Sequence, residues 1–155
     1  MHRLVLAAPV LLAACAPAAE PLTPAFSGWW RPVDSRFGCE SRAFRFDRTS
    51  IQLRRDARMI TTFDIVDASV EQNDMRLTLR VANEAAVLAA METGKQAMRT
   101  ELPKTEIVIS LQRSGGRLLP SNVLIREDGP RGLRAPRRGE DAAMRKVFTM
   151  TACQI

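Results

Sequence analysis

Apolar and polar residues alternate along several short segments of the chain. In the clearest segment, Met75 to Val81, the apolar residues Leu77 and Leu79 alternate with arginine and threonine. A period of two is typical of a β-strand with one buried face. The same alternation occurs in five other segments, which are residues 44–46, 51–53, 59–65, 107–111 and 148–152.

Turn-forming residues separate these segments. Asn73 with Asp74, Gly115 with Gly116, and residues 47–50 lie where hairpins need side chains that tolerate positive φ. Two further segments, Phe26 to Arg31 and Arg117 to Ile125, bring the total to about eight strands. We therefore expect a mainly β fold, either an antiparallel meander or an up-and-down barrel. Pro120 predicts that the strand containing it lies at an edge or bends.

Two helices interrupt the β pattern. Asn83 can cap a helix of about residues 83–102, which is rich in alanine and is stopped by Pro103. A second, short helix is predicted near Glu140 to Lys146, because acidic residues suit its first turn and basic residues its last.

The first 14 residues have the pattern of a secretory signal peptide. A basic start precedes an apolar run from Leu4 to Leu12, which is about half the length needed to cross a bilayer as a helix. The following tetrad, Leu12 to Cys15, resembles the bacterial lipobox, in which the cysteine is acylated and becomes the new amino terminus. This resemblance implies lipidation of Cys15; an ordinary signal peptide with a chance cysteine is the alternative.

A lipidated amino terminus would anchor the chain to a membrane without a spanning segment. Residues 15–25 contain three prolines and predict an extended tether, and residues 26–155 then form one domain. Ala16 follows the cysteine, and in the lipoprotein pattern of Gram-negative bacteria a neutral residue there implies the outer membrane, facing the periplasm.

Once Cys15 carries lipid, Cys39 and Cys153 remain as a pair in an oxidising compartment. We expect a disulfide between them; the alternative is two unrelated thiols.

The formal net charge of the chain is +6. Export disfavours nucleic acid as a partner and leaves anionic lipid head groups, lipopolysaccharide or acidic envelope proteins. The predicted contact surface is the loop from Asp128 to Gly139, which carries Arg131, Arg134, Arg137 and Arg138. A solvated loop in an arginine-rich protein is the alternative interpretation.

The composition argues against catalysis. His2, in the signal peptide, is the only histidine, and the chain has no tyrosine, so no histidine dyad or histidine-containing zinc site can form. Several carboxylates remain, but their spacing selects no catalytic pair and no metal site; they are Glu40, Asp47, Asp64, Asp67 and Glu71. We expect neither enzymatic activity nor a cofactor.

Gly28, Trp29 and Trp30 resemble the Gly-x-Trp signature of lipocalins and related small barrels. The resemblance implies a barrel closed at one end by Trp29 or Trp30, with a binding role for a small apolar or amphipathic ligand. The Thr-Asp-Tyr element of the family has no counterpart here, and a core tryptophan of another β fold is the alternative. A barrel interior filled by Phe44, Phe46 and Phe63 would argue against a ligand inside. The second functional hypothesis is an envelope interaction protein that contacts an anionic surface through the arginine loop.

Overall fold

The computed structural model describes residues 21–82, 105–127 and 132–154. The signal peptide, Cys15 and the helix predicted at residues 83–102 lie outside the described residues. Within these described ranges, nine strands are paired in one sheet, with the bounds β1 (Trp30–Pro32), β2 (Arg42–Phe46), β3 (Ser50–Arg55), β4 (Arg58–Glu71), β5 (Asp74–Val81), β6 (Glu106–Ser114), β7 (Arg117–Arg126), β8 (Leu133–Arg134) and β9 (Met150–Ala152). A 3-10 helix (Pro24–Phe26) precedes β1, and helix α1 (Arg138–Phe148) precedes β9.

The sheet closes into an antiparallel barrel of eight strands. Strands β1 to β7 pair in chain order, and β9 completes the ring by pairing with both β7 and β1. The short β8 pairs with the end of β7. The predicted β class, the barrel and the helix near the carboxyl terminus are therefore confirmed.

Two boundaries differ from the sequence-based prediction. Phe148, which the alternation assigned to the last strand, is the final residue of α1, and its ring lies 5.8 Å from that of Phe63. Phe26, assigned to the first strand, belongs to the 3-10 helix. Both side chains are fully buried, so the alternation detected their burial but not the helical backbone that delivers them.

Alternation along the strands fills the barrel interior with large apolar side chains. Each such side chain stabilises the fold by about 1.5–3 kcal/mol when it is fully buried. Most of the buried apolar side chains of the described residues form one cluster, which consists of Phe26, Trp30, Phe44, Phe46, Ile51, Leu53, Met75, Leu77, Leu79, Ile107, Ile109, Leu111, Leu118, Val123, Ile125, Phe148 and Met150.

The 3-10 helix closes one end of the barrel. Phe26 inserts into the core from this helix, and the Nε1 of Trp30 donates a hydrogen bond to the Phe26 carbonyl at 3.2 Å. The Arg113 guanidinium donates to the carbonyl of Ala25. The chain enters the barrel at this end, where Pro21 forms a β-bridge with Asp47.

The opposite end, which we call the mouth, is formed by the connection from β1 to β2 (residues 33–41), the β3–β4 hairpin and the end of α1. Strand β9 pairs with only Arg117 and Leu118 of β7, and helix α1 packs against the part of β7 that follows them. There the Arg145 guanidinium donates a hydrogen bond to the Pro120 carbonyl at 3.0 Å. The β6–β7 register shifts opposite Pro120, as expected for a bend at a residue that lacks an N–H group.

The predicted disulfide is confirmed. Cys39 and Cys153 are bonded, with an S–S distance of 2.03 Å and a Cα–Cα distance of 5.8 Å. The Cys153 N–H donates to the Trp29 carbonyl at 2.8 Å, next to the pairing of β1 with β9. The bond therefore joins residues 33–41 to the seam that closes the barrel.

Removing the disulfide should lower the stability of the domain. The cysteines are 114 residues apart, and in the chain-entropy model a crosslink over such a loop contributes about 4–5 kcal/mol. We expect the double variant Cys39→Ala, Cys153→Ala to lose about this much free energy of unfolding in urea titrations. Reductant should destabilise the natural chain and leave the double variant unchanged; equal midpoints for the two proteins would contradict the prediction.

Candidate functional site

A cleft of about 360 Å³ opens at the mouth. Its apolar surface comes from Pro32, Phe37, Phe44 and Val147. Residues 33–41 form one wall, and the cationic side chains Arg36, Arg42 and Lys146 line the cleft together with one carboxylate, Asp34. The cleft thus combines an apolar floor with a mainly cationic border.

The strand register places three arginines side by side on neighbouring strands, and one of them, Arg42, lines the cleft. Arg42 on β2 lies opposite Arg55 on β3, and Arg55 lies opposite Arg58 on β4. We call these three residues the arginine row. All three are exposed.

An apolar row lies two positions further into the barrel. Phe44, on β2, is opposite Leu53 on β3, and Leu53 is opposite Ile60 on β4. All three are buried. Residues two apart on a strand share a face, so the arginine row continues the inward-facing positions to the point where the barrel meets solvent.

The cleft wall is held by several contacts to the barrel. The Arg42 N–H donates to the Gly38 carbonyl at 3.0 Å, and the Arg54 guanidinium donates to the Cys39 carbonyl at 2.6 Å. The Arg42 guanidinium lies 5.9 Å from the centre of the Phe37 ring, which remains 53% exposed. Together with the disulfide, these contacts fix the wall relative to the arginine row.

The two tryptophans singled out in the sequence occupy different surroundings. Trp30 is buried beside the 3-10 helix and pairs with Phe44 on β2. Trp29 is only half-buried, and the guanidinium groups of Arg54 and Arg45 lie 4.3 Å and 5.3 Å from its ring centre. Trp29 therefore lies on the outer surface of the barrel, where cation–π contacts with the two arginines hold its ring.

The described arginines of the loop differ in their surroundings. Arg131 lies outside the described residues. Arg134 is held in two ion pairs, each 2.8 Å long, to Glu127 and Glu140. Arg137 and Arg138 are exposed at the start of α1.

The contacts between Arg134 and Glu140 shift the pKa values of these two residues. Hydrogen bonds from Arg134, and then from the Arg137 N–H, lower the pKa of Glu140 to about 2. The hydrogen bonds to Glu140 and then Glu127 raise the pKa of Arg134 beyond its ordinary value. Arg134 therefore acts as a structural link between β8 and α1.

The carboxylates considered for catalysis are dispersed. Asp47 is buried and pairs with Arg45 at 2.8 Å, whereas Asp64, Asp67 and Glu71 are exposed at separate positions along β4. Among residues 21–82, 105–127 and 132–154, no group of three or more potential metal ligands comes together. Within the same ranges, no helix is long and apolar enough to span a membrane.

Comparisons of the chain with protein-family models, with curated protein sequences and with solved structures give no match. The function is therefore inferred from the geometry of the mouth.

The arginine row was not identified from the sequence alone. Its signal is an arginine two residues from an inward-facing apolar side chain on each of three strands, seen in Arg42 with Phe44, Leu53 with Arg55, and Arg58 with Ile60.

The ionisation of Glu140 gives a direct test of the α1 contacts. Its lowered pKa means that the ion pair stabilises the folded state above the ordinary carboxylate range, and that this contribution is lost as the pH falls toward 2. In an NMR titration, Glu140 should titrate near 2. The variant Arg134→Ala should return it toward about 4.3. Arg138→Ala is the matched control and should have no such effect; a Glu140 midpoint that is the same with and without Arg134 would refute the assignment.

Proposed function

We propose that this chain is an exported lipoprotein, anchored through Cys15, whose mouth binds a small amphipathic anion without catalysing a reaction. The observation that carries the proposal is the cleft at the mouth, in which Arg36, Arg42 and Lys146 surround apolar side chains. Lipidation and export rest on the signal peptide and the lipobox resemblance. The absence of histidine after His2 supports the non-catalytic role.

The mouth has the two features that an amphipathic anion requires. The buried ring of Phe44 and the side chain of Val147 offer apolar contact, and Arg36, Arg42 and Lys146 surround it with positive charge. The cleft volume of about 360 Å³ lies within the range of small-molecule sites. Guanidinium groups also bind carboxylate, sulfate and phosphate through paired hydrogen bonds.

The interior of the barrel is a poorer candidate than the mouth. Phe44, Phe46 and many aliphatic side chains pack there in one cluster, with Phe63 against it, and this is the arrangement that argues against an internal ligand. An apolar ligand would have to displace close-packed side chains, which costs stability. The arginine loop is also less favoured, because Arg134 is committed to its ion pairs.

Calorimetric titration of amphiphiles into the full chain carrying Cys15→Ala, below their micelle concentrations, tests the binding role. We expect dodecyl sulfate to bind one to one and dodecyltrimethylammonium not to bind. Arg42→Glu should weaken dodecyl sulfate binding by about tenfold or more, because it reverses one charge at the cleft.

The matched control is Arg76→Glu, which makes the same charge reversal at an exposed residue on β5, away from the mouth. It should leave dodecyl sulfate affinity unchanged. Equal losses in Arg42→Glu and Arg76→Glu would show that net charge alone governs binding, and equal affinity for the cationic amphiphile would remove the anion site.

Anchoring is tested separately. The natural chain should fractionate with membranes and release into the soluble fraction only with detergent, because the acyl chains hold it in the bilayer. The variant Cys15→Ser should appear in the soluble fraction, or in membranes at a mass that retains the leader. Recovery of the unmodified natural chain, with its leader, from the cytosol would overturn the lipoprotein assignment.

A further inference from the structure

The cleft wall, residues 33–41, lacks the apolar burial that holds the strands of the barrel together. Residues 34–37 of this wall line the cleft. None of residues 33–41 is buried, and their two large apolar side chains, Val33 and Phe37, are exposed. Burial of apolar surface is the dominant favourable term in folding, and it does little to fix this segment.

The hydrogen bonds of the wall to the barrel are concentrated at its two ends. Backbone hydrogen bonds at Val33 and at Ser41 hold these ends, at 2.9 Å and 2.8 Å. Between them, the Arg31 guanidinium lies 3.5 Å from both the Ser35 and the Phe37 carbonyl oxygens, which is beyond the usual range of N–H···O distances. The cleft-lining part of the wall is therefore weakly held by polar contacts.

The disulfide between Cys39 and Cys153 is the covalent attachment of the wall to the barrel. Both cysteines are partly exposed, so a reductant can reach the bond. Without the bond, Cys39 would keep the hydrogen bond from the Arg54 guanidinium to its carbonyl. A single hydrogen bond adds little net stability, because water competes for the same groups. The position of the wall thus depends mainly on one accessible covalent bond.

We propose that this disulfide is a redox switch for the cleft. The oxidised protein binds its ligand, and reduction releases the wall and weakens binding while the barrel stays folded. This inference rests on the proposed function and adds regulation to the same site. Reduction would free Arg36 and Phe37, on the wall, from their fixed positions relative to Lys146 and Val147 on α1. A ligand would then have to order the wall as it binds, and this cost lowers its affinity.

The reaction is a thiol–disulfide exchange with a dithiol reductant. One thiolate of the reductant attacks a sulfur of the protein disulfide, forms a mixed disulfide and expels the other cysteine as a thiolate, which takes up a proton. The second thiol of the reductant then loses its proton and attacks the mixed disulfide, so that the reductant leaves as a cyclic disulfide. The two electrons of the exchange pass to the protein, and Cys39 and Cys153 end as thiols.

Limited trypsin digestion tests the release of the wall without any ligand. The full chain carrying Cys15→Ala, which has no third thiol, is compared with a chain that also carries Cys39→Ala and Cys153→Ala. We expect loss of the disulfide to speed cleavage after Arg36, in the wall, by about tenfold or more, because proteases cut segments that open locally. Cleavage after Arg76, within β5, is the internal control and should stay slow, since the core cluster of the barrel does not include the wall.

Calorimetric titration of dodecyl sulfate tests the switch itself. We expect dithiothreitol, a dithiol, to lower the affinity of the Cys15→Ala chain by about tenfold or more, and reoxidation to restore it. The chain that also lacks Cys39 and Cys153 should bind weakly with and without dithiothreitol. Far-UV circular dichroism should retain the β signal in every sample, because the barrel remains folded.

The outcomes distinguish the switch from the proposed function. If the oxidised chain binds dodecyl sulfate but loss of the disulfide leaves either the affinity or the cleavage after Arg36 unchanged, the switch is overturned and the binding role stands. Loss of the β signal, or equal acceleration of cleavage after Arg36 and Arg76, would show that the disulfide holds the whole barrel, which also overturns the switch. Failure of the oxidised chain to bind would overturn both proposals.

Discussion

The structure depends on one constraint, which is that each strand of a closed barrel presents alternate residues to the inside. Along β2, β3 and β4 this rule places Phe44, Leu53 and Ile60 in the core. Two residues closer to the mouth on each of these strands, the same rule gives positions that lie outside the core and are exposed to solvent. The polar rim and the apolar core are therefore parts of one pattern, and the residue type changes where the barrel ends.

Most of the fold could be predicted from the sequence because its signals are local. The alternation of β5 and the turn at Gly115 are visible within a few residues, and the pairing of Cys39 with Cys153 follows from counting cysteines. Helix α1 was also visible from its terminal charges. Its burial of Phe148 was not, because an apolar residue that ends a helix looks the same as one that begins a strand.

The mouth could not be predicted in the same way because it depends on register. Arg42 and Arg58 are brought together only when β3 pairs with both neighbours at one offset. The arginine loop attracted attention for the opposite reason, since its charges are adjacent in sequence. The ion pairs of Arg134 with Glu127 and Glu140 show that local charge density is a poor guide to which side chains remain available.

The β-bridge between Pro21 and Asp47 identifies the end of the barrel at which the chain enters. Asp47 directly follows the end of β2 that lies away from Arg42, so the chain enters the barrel at the opposite pole from the cleft. The residues between Cys15 and Pro21 can span at most about 20 Å. If Cys15 carries acyl chains and the mouth binds a ligand, as proposed above, the mouth would face away from the membrane. The ligand would then reach it from the surrounding aqueous space rather than from the lipid beneath.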